Sequence, residues 1–356
     1  MKYNSFRFDQ ITINCDKKRI PLSSIERAKR QGIYRYYGAQ GVIDHIDDYI
    51  FDGTYMLIAE DGENLKSKKQ NIAQLVTGKF WVNNHAHIIQ SNESCDLRFL
   101  YYLINSIDLS GYITGSAQPK LSQNNLNALV LQIPELIIQQ KIVGILSSLD
   151  DKIELNNRIN ENLEQQAQAI FDSMFPNITK GNSEIGKYIV PKRGKSLLSK
   201  DAVYGDVPVV AGGLEPATYH NSANTVAPVT TISSSGANAG FVKLWHISVW
   251  SSDSSFIDSS MTNELYFWYV MLKKRQQEIF DSQTGSAQPH VYPKNIAVMP
   301  VTNFELKQAN IFTEKTSSLF QLIGDNIEEN KRLGAIRDTL LPRLMSGELD
   351  VSDIDL

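Results

Sequence analysis

The sequence has few cysteines and no long apolar segment. Only Cys15 and Cys95 occur in 356 residues, too few for a disulfide framework or a four-thiolate zinc site, which favours a reducing compartment. The longest apolar run, from Leu265 to Leu272, has eight residues, whereas a helix that spans a bilayer needs about 20. The N-terminal stretch carries no apolar signal segment. These absences predict a cytoplasmic protein with no membrane partner.

The chain also lacks a strong net charge. With 35 Lys+Arg against 39 Asp+Glu it carries −4, which by itself disfavours a nucleic-acid binder. Split by region, the balance changes: residues 1–130 have 15 basic and 13 acidic side chains, and residues 177–303 have 11 and 9. Residues 131–176 have 3 and 7, and residues 304–356 have 6 and 10. Mildly basic regions therefore alternate with acidic ones, and only the basic regions suit DNA.

Enzyme motifs are missing as well. Gly194-Lys195-Ser196 resembles the end of a phosphate-binding loop, but Ile189 stands where that loop needs a glycine. His85 and His87 have the spacing of a metal pair on a strand, yet no nearby cluster supplies further ligands, so we interpret them as polar groove residues. No glycine-rich nucleotide turn and no nucleophile elbow occur. The pattern favours a binding protein without a catalytic or metal site.

An internal repeat organises the chain. The hexapeptide TGSAQP occurs at residues 114–119 and again at 284–289, an offset of 170. The same offset carries Asn125 onto Asn295 and Ser147-Ser148-Leu149 onto Ser317-Ser318-Leu319. A period this long excludes a solenoid, whose repeats run about 20–50 residues. One duplicated unit remains, a globular region followed by a helical segment.

The two helical segments have the pattern of a coiled coil. Apolar positions recur at steps of four and three from Ile142 to Met174, and again from Phe312 to Leu344. Each helix would hold about 40 residues and measure about 60 Å. Pro134 suits the first turn of the first helix, and Pro176 lies past its end. A single apolar seam needs a partner, so we predict that the helices pack together as an antiparallel coiled coil.

Four asparagines interrupt the predicted seam. A buried asparagine lowers stability but fixes register when another polar group meets it. We expect Asn156 and Asn160 to lie near Asn326 and Asn330. The alternative is that these four side chains are solvated.

The expected fold class is α+β, with an internal pseudo-two-fold repeat and a short helix before each TGSAQP loop, at residues 97–106 and 264–280. The predicted divisions are a first globular region at 1–133, a first long helix at 134–176, a second globular region at 177–303, a second long helix at 304–350 and a tail at 351–356.

Basic side chains beside glycine-, serine- and asparagine-rich loops suit phosphate contacts, and amide, hydroxyl and imidazole groups can read base edges. A solvated surface is the alternative for each basic cluster. The candidates for DNA binding are Lys18, Arg19, Gln40, Asn64, Lys66, Lys68, Lys69 and His85 in the first region and Lys192, Arg193, Lys195, Ser235 and Asn238 in the second. The candidates for a contact common to both copies are Gly115, Ser116, Gln118, Gly285, Ser286 and Gln288.

Taken together, these segments resemble the specificity subunit of type I restriction-modification systems over essentially the whole chain. The resemblance rests on IAEDGEN at 58–64, the two TGSAQP loops, the helix text KIVGILSSLDDKIELNNRINENLEQQAQAIF at 141–171 and the ending LLPRLMSGELD at 340–350. The combination is specific, although TGSAQP alone would not be.

The resemblance implies two target recognition domains that each read one half of a bipartite site in double-stranded DNA. The helices would set the spacer and dock two methyltransferase subunits, and restriction subunits that translocate and cleave DNA would join them in host defence. The shared loops would contact the DNA backbone or the methyltransferase. The chain itself would be non-catalytic and bind no cofactor, with S-adenosylmethionine, ATP and Mg on its partners.

Two other classes remain open on sequence grounds. One is a stand-alone DNA-modifying enzyme, which would act on DNA when given its cofactor. The other is a coiled-coil scaffold with no role in DNA binding, which would lack salt-dependent affinity for DNA.

Overall fold

The chain folds into two compact units. The computed structural model describes residues 2–116, 118–285 and 288–354, so the candidate Ser286 lies outside the described residues. Unit 1 comprises Met1–Lys152 and Arg332–Leu356, and unit 2 comprises Ile153–Lys331. Each unit holds one globular region together with part of each of two long helices.

Unit 1 is a mixed α and β structure. Its elements in chain order are β1 (Tyr3–Arg7), α1 (Phe8–Ile11), β2 (Thr12–Asn14), α2 (Ser24–Ala28), β3 (Gln31–Gly38), β4 (Gly41–Ile46), β5 (Phe51–Ala59), α3 (Asn64–Ser67), β6 (Ala73–Val82), β7 (Ala86–Ser91), α4 (Leu97–Ser106), α5 (Gln123–Asn127), β8 (Val130–Pro134) and the beginning of the long helix α6 (Leu136–Met174).

A six-stranded sheet with the order β2-β7-β5-β6-β3-β4 forms the centre of unit 1. Its pairs are antiparallel except β3 with β6. The predicted helix at 97–106 is confirmed as α4, and the Asp96 carboxylate caps it by accepting the Phe99 N–H at 3.0 Å. Phe99 of α4 is buried together with Met56 and Ile89 of the sheet. Helix α4 thus packs against β5 and β7, the strands beside which the Gly62 loop and the turn at residues 83–85 lie.

Unit 2 has the same kinds of element in smaller sheets. Its elements in chain order are the remainder of α6, β9 (Ser183–Glu184), β10 (Lys192–Arg193), β11 (Val207–Val210), β12 (Thr218–His220), β13 (Val229–Ser233), β14 (Val242–Trp245), β15 (Trp250–Ser251), β16 (Ser254–Asp258), α7 (Leu265–Lys274), α8 (Gln276–Asp281), α9 (Pro293–Ala297), β17 (Pro300–Val301) and most of the long helix α10 (Leu306–Met345).

The main sheet of unit 2 is antiparallel with the order β10-β16-β13-β14, beside a three-stranded sheet with the order β12-β11-β15. Trp268 and Phe267 of α7 are fully buried against it. Residues 229–233 are buried at every position, which explains why β13 reads as a continuous run rather than an alternating pattern.

The predicted single helix at 264–280 is wrong in one respect, because the chain forms two helices, α7 and α8. The break falls at Arg275, whose backbone (φ −97°, ψ 21°) leaves the helical region. The buried Arg275 guanidinium donates to Glu278 Oε2 at 2.7 and 3.0 Å and to the Pro300 carbonyl at 2.8 Å. The Arg275 side chain therefore links α8 and β17 at the point where α7 ends.

The two long helices begin 170 residues apart, as the repeat requires. Contrary to prediction, Pro134 is not in the first turn of α6: it ends β8, where it pairs with Tyr3, and the helix begins at Leu136. The pairing with Tyr3 holds Pro134 in an extended conformation, so the helix begins after it. The second helix begins at Leu306, so the phenylalanine at 304 in place of a proline does not change the starting point.

The end of α10 belongs to the core of unit 1. Gly347 follows the helix with a φ of +78°, a left-handed conformation that favours glycine. Val351, at the start of the predicted tail, is buried in the same core as Leu344. Lys141 of α6 also donates to the Ser352 carbonyl at 2.6 Å.

Within unit 2 the seam asparagines meet one another. Asn156 Nδ2 donates to Asn330 Oδ1 at 2.9 Å and to Glu329 Oε2 at 2.7 Å, and Asn326 Nδ2 donates to Asn160 Oδ1 at 2.8 Å. Rising numbers on α6 meet falling numbers on α10, so the helices run antiparallel here. Asn156 is fully buried, which excludes the solvated alternative for that residue.

In unit 1 the two long helices also run antiparallel, but an ion pair joins them there instead of asparagine side chains. Asp150 of α6 accepts from Arg337 of α10 at 2.6 Å, and it also accepts from the Tyr102 hydroxyl of α4 at 2.6 Å. The α+β class with a pair of long antiparallel helices is therefore confirmed. None of the helices in the described part of the chain has the length and apolarity needed to cross a bilayer.

Candidate nucleic-acid interface

The TGSAQP loop is closed in the same way in both units. Thr114 and Lys120 exchange backbone hydrogen bonds of 2.8 Å in each direction, and Thr284 and His290 exchange bonds of 2.9 and 2.8 Å. These reciprocal pairs place both ends of each loop side by side.

The glycine of the hexapeptide is needed for this loop. Gly115 and Gly285 have φ values of +85° and +92°. A Cβ on Gly115 would lie 2.3 Å from the Gln118 carbonyl oxygen, and one on Gly285 would lie 2.7 Å from the Gln288 carbonyl oxygen. The identity of this position in the two copies therefore has a structural cause.

Three further backbone hydrogen bonds hold the neighbouring loops against the shared loop, and each has a counterpart in the other unit. The loop containing Gly62 binds the shared loop as the loop containing Gly236 does, although the side chains differ. The equivalent pairs are Gly62 N–H to Pro119 O and Gly236 N–H to Pro289 O (both 3.1 Å), Leu121 N–H to Glu60 O (2.8 Å) and Val291 N–H to Ser234 O (3.0 Å), and Glu60 N–H to His85 O (2.9 Å) and Ser234 N–H to Asp253 O (3.1 Å).

In unit 1 this frame brings several candidate side chains together. Lys66 Nζ donates to the Ser116 carbonyl at 2.9 Å, and a Cβ built on Gly62 would lie 3.6 Å from Gln40 Nε2. His85 is about half exposed beside the same loop. A cation, an amide and an imidazole thus share one surface with the shared loop, a set that can contact phosphates and base edges.

Two candidates of unit 1 are corrected by the structure. Asn64 is only 5% exposed, and its amide both donates to the Gln70 carbonyl and accepts the Gln70 N–H, each at 2.9 Å, so it closes a turn and cannot read bases. Arg19 is mostly buried, and it donates to Glu60 at 2.8 Å and to the Ala86 carbonyl at 2.9 Å. Both side chains hold the loops and are not available to DNA.

The other candidate lysines of unit 1 have no hydrogen bond or ion pair with the shared loop among the described residues. Lys68 donates to the Ile107 carbonyl at 3.3 Å and lies 3.4 Å from Asp108, away from the shared loop. Lys18 and Lys69 are exposed. The structure does not join these three to the cluster around Gly62.

In unit 2 an ionic pair occupies the equivalent surface. Arg193 donates to Asp253 Oδ1 at 2.5 Å, and Ser235 Oγ donates to Asp253 Oδ2. Asn238 is partly exposed beside Gly236. The remaining basic candidates of this unit, both exposed, are Lys192 and Lys195.

Several residues of these surfaces escaped sequence reasoning. Asp61 Oδ2 lies 2.7 Å from His85 Nδ1, and Lys120 Nζ lies 3.3 Å from Glu60 Oε1. His290 takes the place of Lys120 in unit 2. Lys120 and His290 could have been found from the sequence, because they directly follow the two TGSAQP segments.

The polar side chains of the shared loop are not explained by its backbone conformation, as the glycines are. Ser116, Gln118 and Gln288 are exposed. No hydrogen bond joins the side chain of Gln118 or Gln288 to any other described residue. The loop frame explains the glycine, but it does not explain why the glutamine is identical in both copies.

A buried ionic cluster lies beneath the loops of unit 1. His87 Nδ1 is 2.6 Å from Asp16 Oδ2 and 3.8 Å from Glu60 Oε2, while Arg19 bridges both carboxylates at 3.5 and 2.8 Å. These acidic and imidazole groups have the composition of a metal site. However, Arg19 balances the carboxylates and His87 Nε2 faces the Leu121 carbonyl at 2.8 Å, so the ligand atoms are already occupied.

The charges of this cluster are mutually stabilised. Burial raises the pKa of the Asp16 carboxyl, but the hydrogen bond and charge of His87 and the Ile88 N–H outweigh it, so the net pKa is lowered. Burial also raises the pKa of Glu60, and Arg19, His87 and Lys120 together lower it below its ordinary value. Both groups are therefore carboxylates at neutral pH.

The fold occurs in a known structure. A crystal structure of the type I restriction-modification system S subunit from M. genitalium superimposes with a TM-score of 0.61 at 19% identity, covering 97% of this chain and 96% of that one. The class of protein is thus a duplicated α+β protein with the S-subunit fold.

Residues 3–165 match the family described as the type I restriction modification DNA specificity domain. The resemblance recognised in the sequence motifs is therefore confirmed for this part of the chain.

The curated relatives have related descriptions. A putative type I restriction enzyme specificity subunit of Haemophilus influenzae is 33% identical over 141 residues, 40% of this chain and 36% of that protein. A type I restriction enzyme specificity subunit of Methanocaldococcus jannaschii is 26% identical over 306 residues, 72% of this chain and 70% of that protein. The chain thus spans about a third of the first relative's length and more than two thirds of the second's.

Proposed function

We propose that the chain is the DNA sequence-specificity subunit of a type I restriction-modification complex. Each globular region reads one half of a bipartite site in double-stranded DNA. The helix pair sets the spacing between the half-sites and docks two methyltransferase subunits, which restriction subunits join.

One observation carries this proposal: the two units hold three loops by equivalent backbone hydrogen bonds, but present different side chains on them. Unit 1 offers Gln40, Lys66 and His85. Unit 2 offers Arg193 and Ser235 at the corresponding surface. A constant frame with variable polar groups is what two readers of different sequences require, because hydrogen bonds to base edges carry the specificity.

The shared loop then contacts something common to both half-sites, and we assign it to the DNA backbone. Gln118 and Gln288 are exposed next to a basic or imidazole residue, Lys120 or His290. In unit 1 the loop is also within reach of Lys66. Cations beside an uncharged amide suit a phosphodiester, which has the same chemistry at every sequence.

Catalysis and cofactors belong to the partners in this proposal. S-adenosylmethionine would be bound by the methyltransferase, and ATP and Mg by the restriction subunits. The acidic helices would present their outer faces to these partners, which supply much of the affinity for phosphate.

The decisive experiment maps N6-methyladenine genome-wide in cells that carry the complex with and without this chain. We expect a bipartite motif that disappears without the chain. A variant with residues 177–303 exchanged for those of another specificity subunit should change one half-site only. Methylation by the purified chain alone, given S-adenosylmethionine, would instead identify it as a stand-alone enzyme.

The spacer role has its own test, which the asparagine pairs sharpen. Because Asn156 meets Asn330 and Asn160 meets Asn326, an insertion in one helix alone would break the register. A matched heptad inserted in both helices, after Lys152 and before Arg332, adds about 10 Å, or roughly three base pairs. Methylation mapping should find a longer gap with both half-sites intact, and an altered half-site would contradict the spacer role.

A further inference from the structure

His87 is the most buried titratable group beneath the proposed recognition loops, at 1% exposure. Both of its ring nitrogens face oxygen acceptors: Nδ1 lies 2.6 Å from Asp16 Oδ2, and Nε2 lies 2.8 Å from the Leu121 carbonyl. A carboxylate and a carbonyl can only accept, so this geometry calls for a proton on each nitrogen, which is the imidazolium form.

The ring connects the elements that carry the loops. Leu121 follows Lys120, whose backbone pairs with Thr114 to close the shared loop, and the Leu121 N–H binds the Glu60 carbonyl at the base of the Gly62 loop. Asp16 also accepts the Ile88 N–H at 2.8 Å, which ties it to β7. The imidazolium therefore holds the shared loop, the Gly62 loop and the turn at residue 16 in one arrangement.

The charged groups around His87 come from every neighbouring element. Asp16 and Arg19 lie on the turn after β2, Glu60 follows β5, and Lys120 reaches Glu60 from the shared loop. The two carboxylates face two permanent cations, and the ring adds a third positive charge next to Asp16. The ring's second proton matters for its bond to Leu121, since a neutral ring that donates to Asp16 would turn a lone pair toward that carbonyl.

Unit 2 holds its loops by equivalent backbone hydrogen bonds, but serines stand at the positions of His87 and Glu60. The strand register pairs Ile58 with His87 in unit 1 and Ile232 with Ser255 in unit 2, so Ser255 stands in for His87. Ser234 likewise stands in for Glu60. Both serines are buried, and their hydroxyls have no hydrogen-bond partner among the described residues.

We propose that His87 is a positioning residue of unit 1, whose doubly protonated ring holds the recognition loops in place. Discrimination at the half-site read by unit 1 then depends on pH, while discrimination at the half-site read by unit 2 does not. The inference rests on the proposed function, because it assigns each unit to one half-site.

The test uses the full complex of this chain with its methyltransferase partners and its mapped bipartite site. Binding is measured between pH 6 and 9 to three duplexes: the intact site, the site with half-site 1 scrambled and the site with half-site 2 scrambled. We expect discrimination at half-site 1 to fall about tenfold with rising pH, the effect of one charge-assisted hydrogen bond. Discrimination at half-site 2 should stay constant.

Two variants separate positioning from a general structural effect. His87→Gln can donate to only one of the two acceptors from its single amide nitrogen, so it should show the reduced discrimination at every pH. His45→Gln, at an exposed position of β4 in the same unit, removes a titratable ring outside the recognition loops and should keep the pH dependence of the wild type. Ser255→Ala should change neither profile.

A direct measurement avoids any folding defect of the variants. Nitrogen-15 NMR of the wild-type chain should show two protonated ring nitrogens for His87 at pH 6.5. A neutral ring at that pH, or a pH profile that His87→Gln leaves unchanged, would overturn the inference. Absence of discrimination at both half-sites at every pH would instead refute the proposed function.

Discussion

Unit 1 and unit 2 share one backbone plan but are stabilised by different interactions. Beneath the loops, unit 1 has the ionic cluster of Asp16 and His87, where unit 2 has buried serines. Where the short helix meets the long helices, Asp150 of unit 1 accepts from Tyr102, whereas the residue 170 positions later, Phe320, stacks on Tyr266 at 4.5 Å.

The difference shows that the backbone hydrogen bonds are equivalent in the two units, whereas the side-chain contacts between the short helix and the long helices are polar in one unit and apolar in the other. Phe320 and Asp150 each have a second contact of the same kind. Phe320 also packs edge-on against Tyr269 at 5.7 Å, and Asp150 also accepts from Arg337 at 2.6 Å. Substitutions at equivalent positions should therefore have unequal effects in the two units.

The largest effect is expected for Phe320→Ala. Phe320 is fully buried, and its loss leaves a cavity between α7 and α10, so unit 2 should lose about 3–5 kcal/mol of unfolding free energy. Denaturant unfolding together with hydrogen exchange resolved by unit measures this loss.

Two variants serve as comparisons for Phe320→Ala. Leu322→Ala, on the same helix but 44% exposed, should cost less than about 1 kcal/mol. Asp150→Asn should cost about 1–2 kcal/mol and affect unit 1 only. A loss at Asp150 equal to that at Phe320 would contradict the expectation of unequal effects, because the polar and the apolar contacts would then stabilise their units equally.

The next largest effect is expected for Asp16→Asn in unit 1. This change leaves the buried His87 ring without its carboxylate, and breaking a buried pair in this way costs about 3 kcal/mol. Asp47→Asn, which removes an exposed partner of Arg30, serves as the control with an expected cost below about 1 kcal/mol. Thermal unfolding followed by hydrogen exchange should place the whole loss of Asp16→Asn in unit 1.

Acid should distinguish the units in the same way. The pKa values of Asp16 and Glu60 are lowered in the folded state. Their contribution is therefore present above the ordinary carboxyl pKa near about 4 and is lost as pH falls through the lower folded values. Unfolding between pH 7 and 3 should show a steeper loss in unit 1, and the double variant Asp16→Asn, Glu60→Gln should flatten it. An unchanged slope in the double variant would assign the acid sensitivity to other carboxyls.

The smallest effect is expected for Ser255→Ala in unit 2. Its buried hydroxyl has no partner among the described residues, so removing it should be neutral or stabilise unit 2 by up to about 1 kcal/mol. A clear destabilisation in the unfolding curve would mean that the hydroxyl makes a hydrogen bond, for instance to a buried water.

Much of the architecture followed from pattern. The offset of 170 located both long helices, because a repeated seam constrains every seventh residue, and α4 matched its predicted bounds. The exceptions coincide with contacts between distant residues: Pro134 pairs with Tyr3 in a strand, and Arg275 donates to the Pro300 carbonyl at the break between α7 and α8. Neither contact is visible in a window of neighbouring residues.

The candidate interface was predictable only in part. Lys66 and Gln40 were found because they flank a glycine loop, and the structure places them beside the shared loop. Asn64 looked identical to them in sequence, yet its amide is used by Gln70. Exposure is a property of the folded neighbourhood, so composition could not separate these residues.

The sequence by itself determined the duplication, the antiparallel helix pair and the family resemblance, because repeats, periodicity and motifs are linear signals. Only the tertiary structure decided that His87 faces two acceptors and that Ser255 takes its place in unit 2. The two contacts of His87 join residues 71 and 34 positions apart in a buried site, where each donor must find its acceptor because water is excluded.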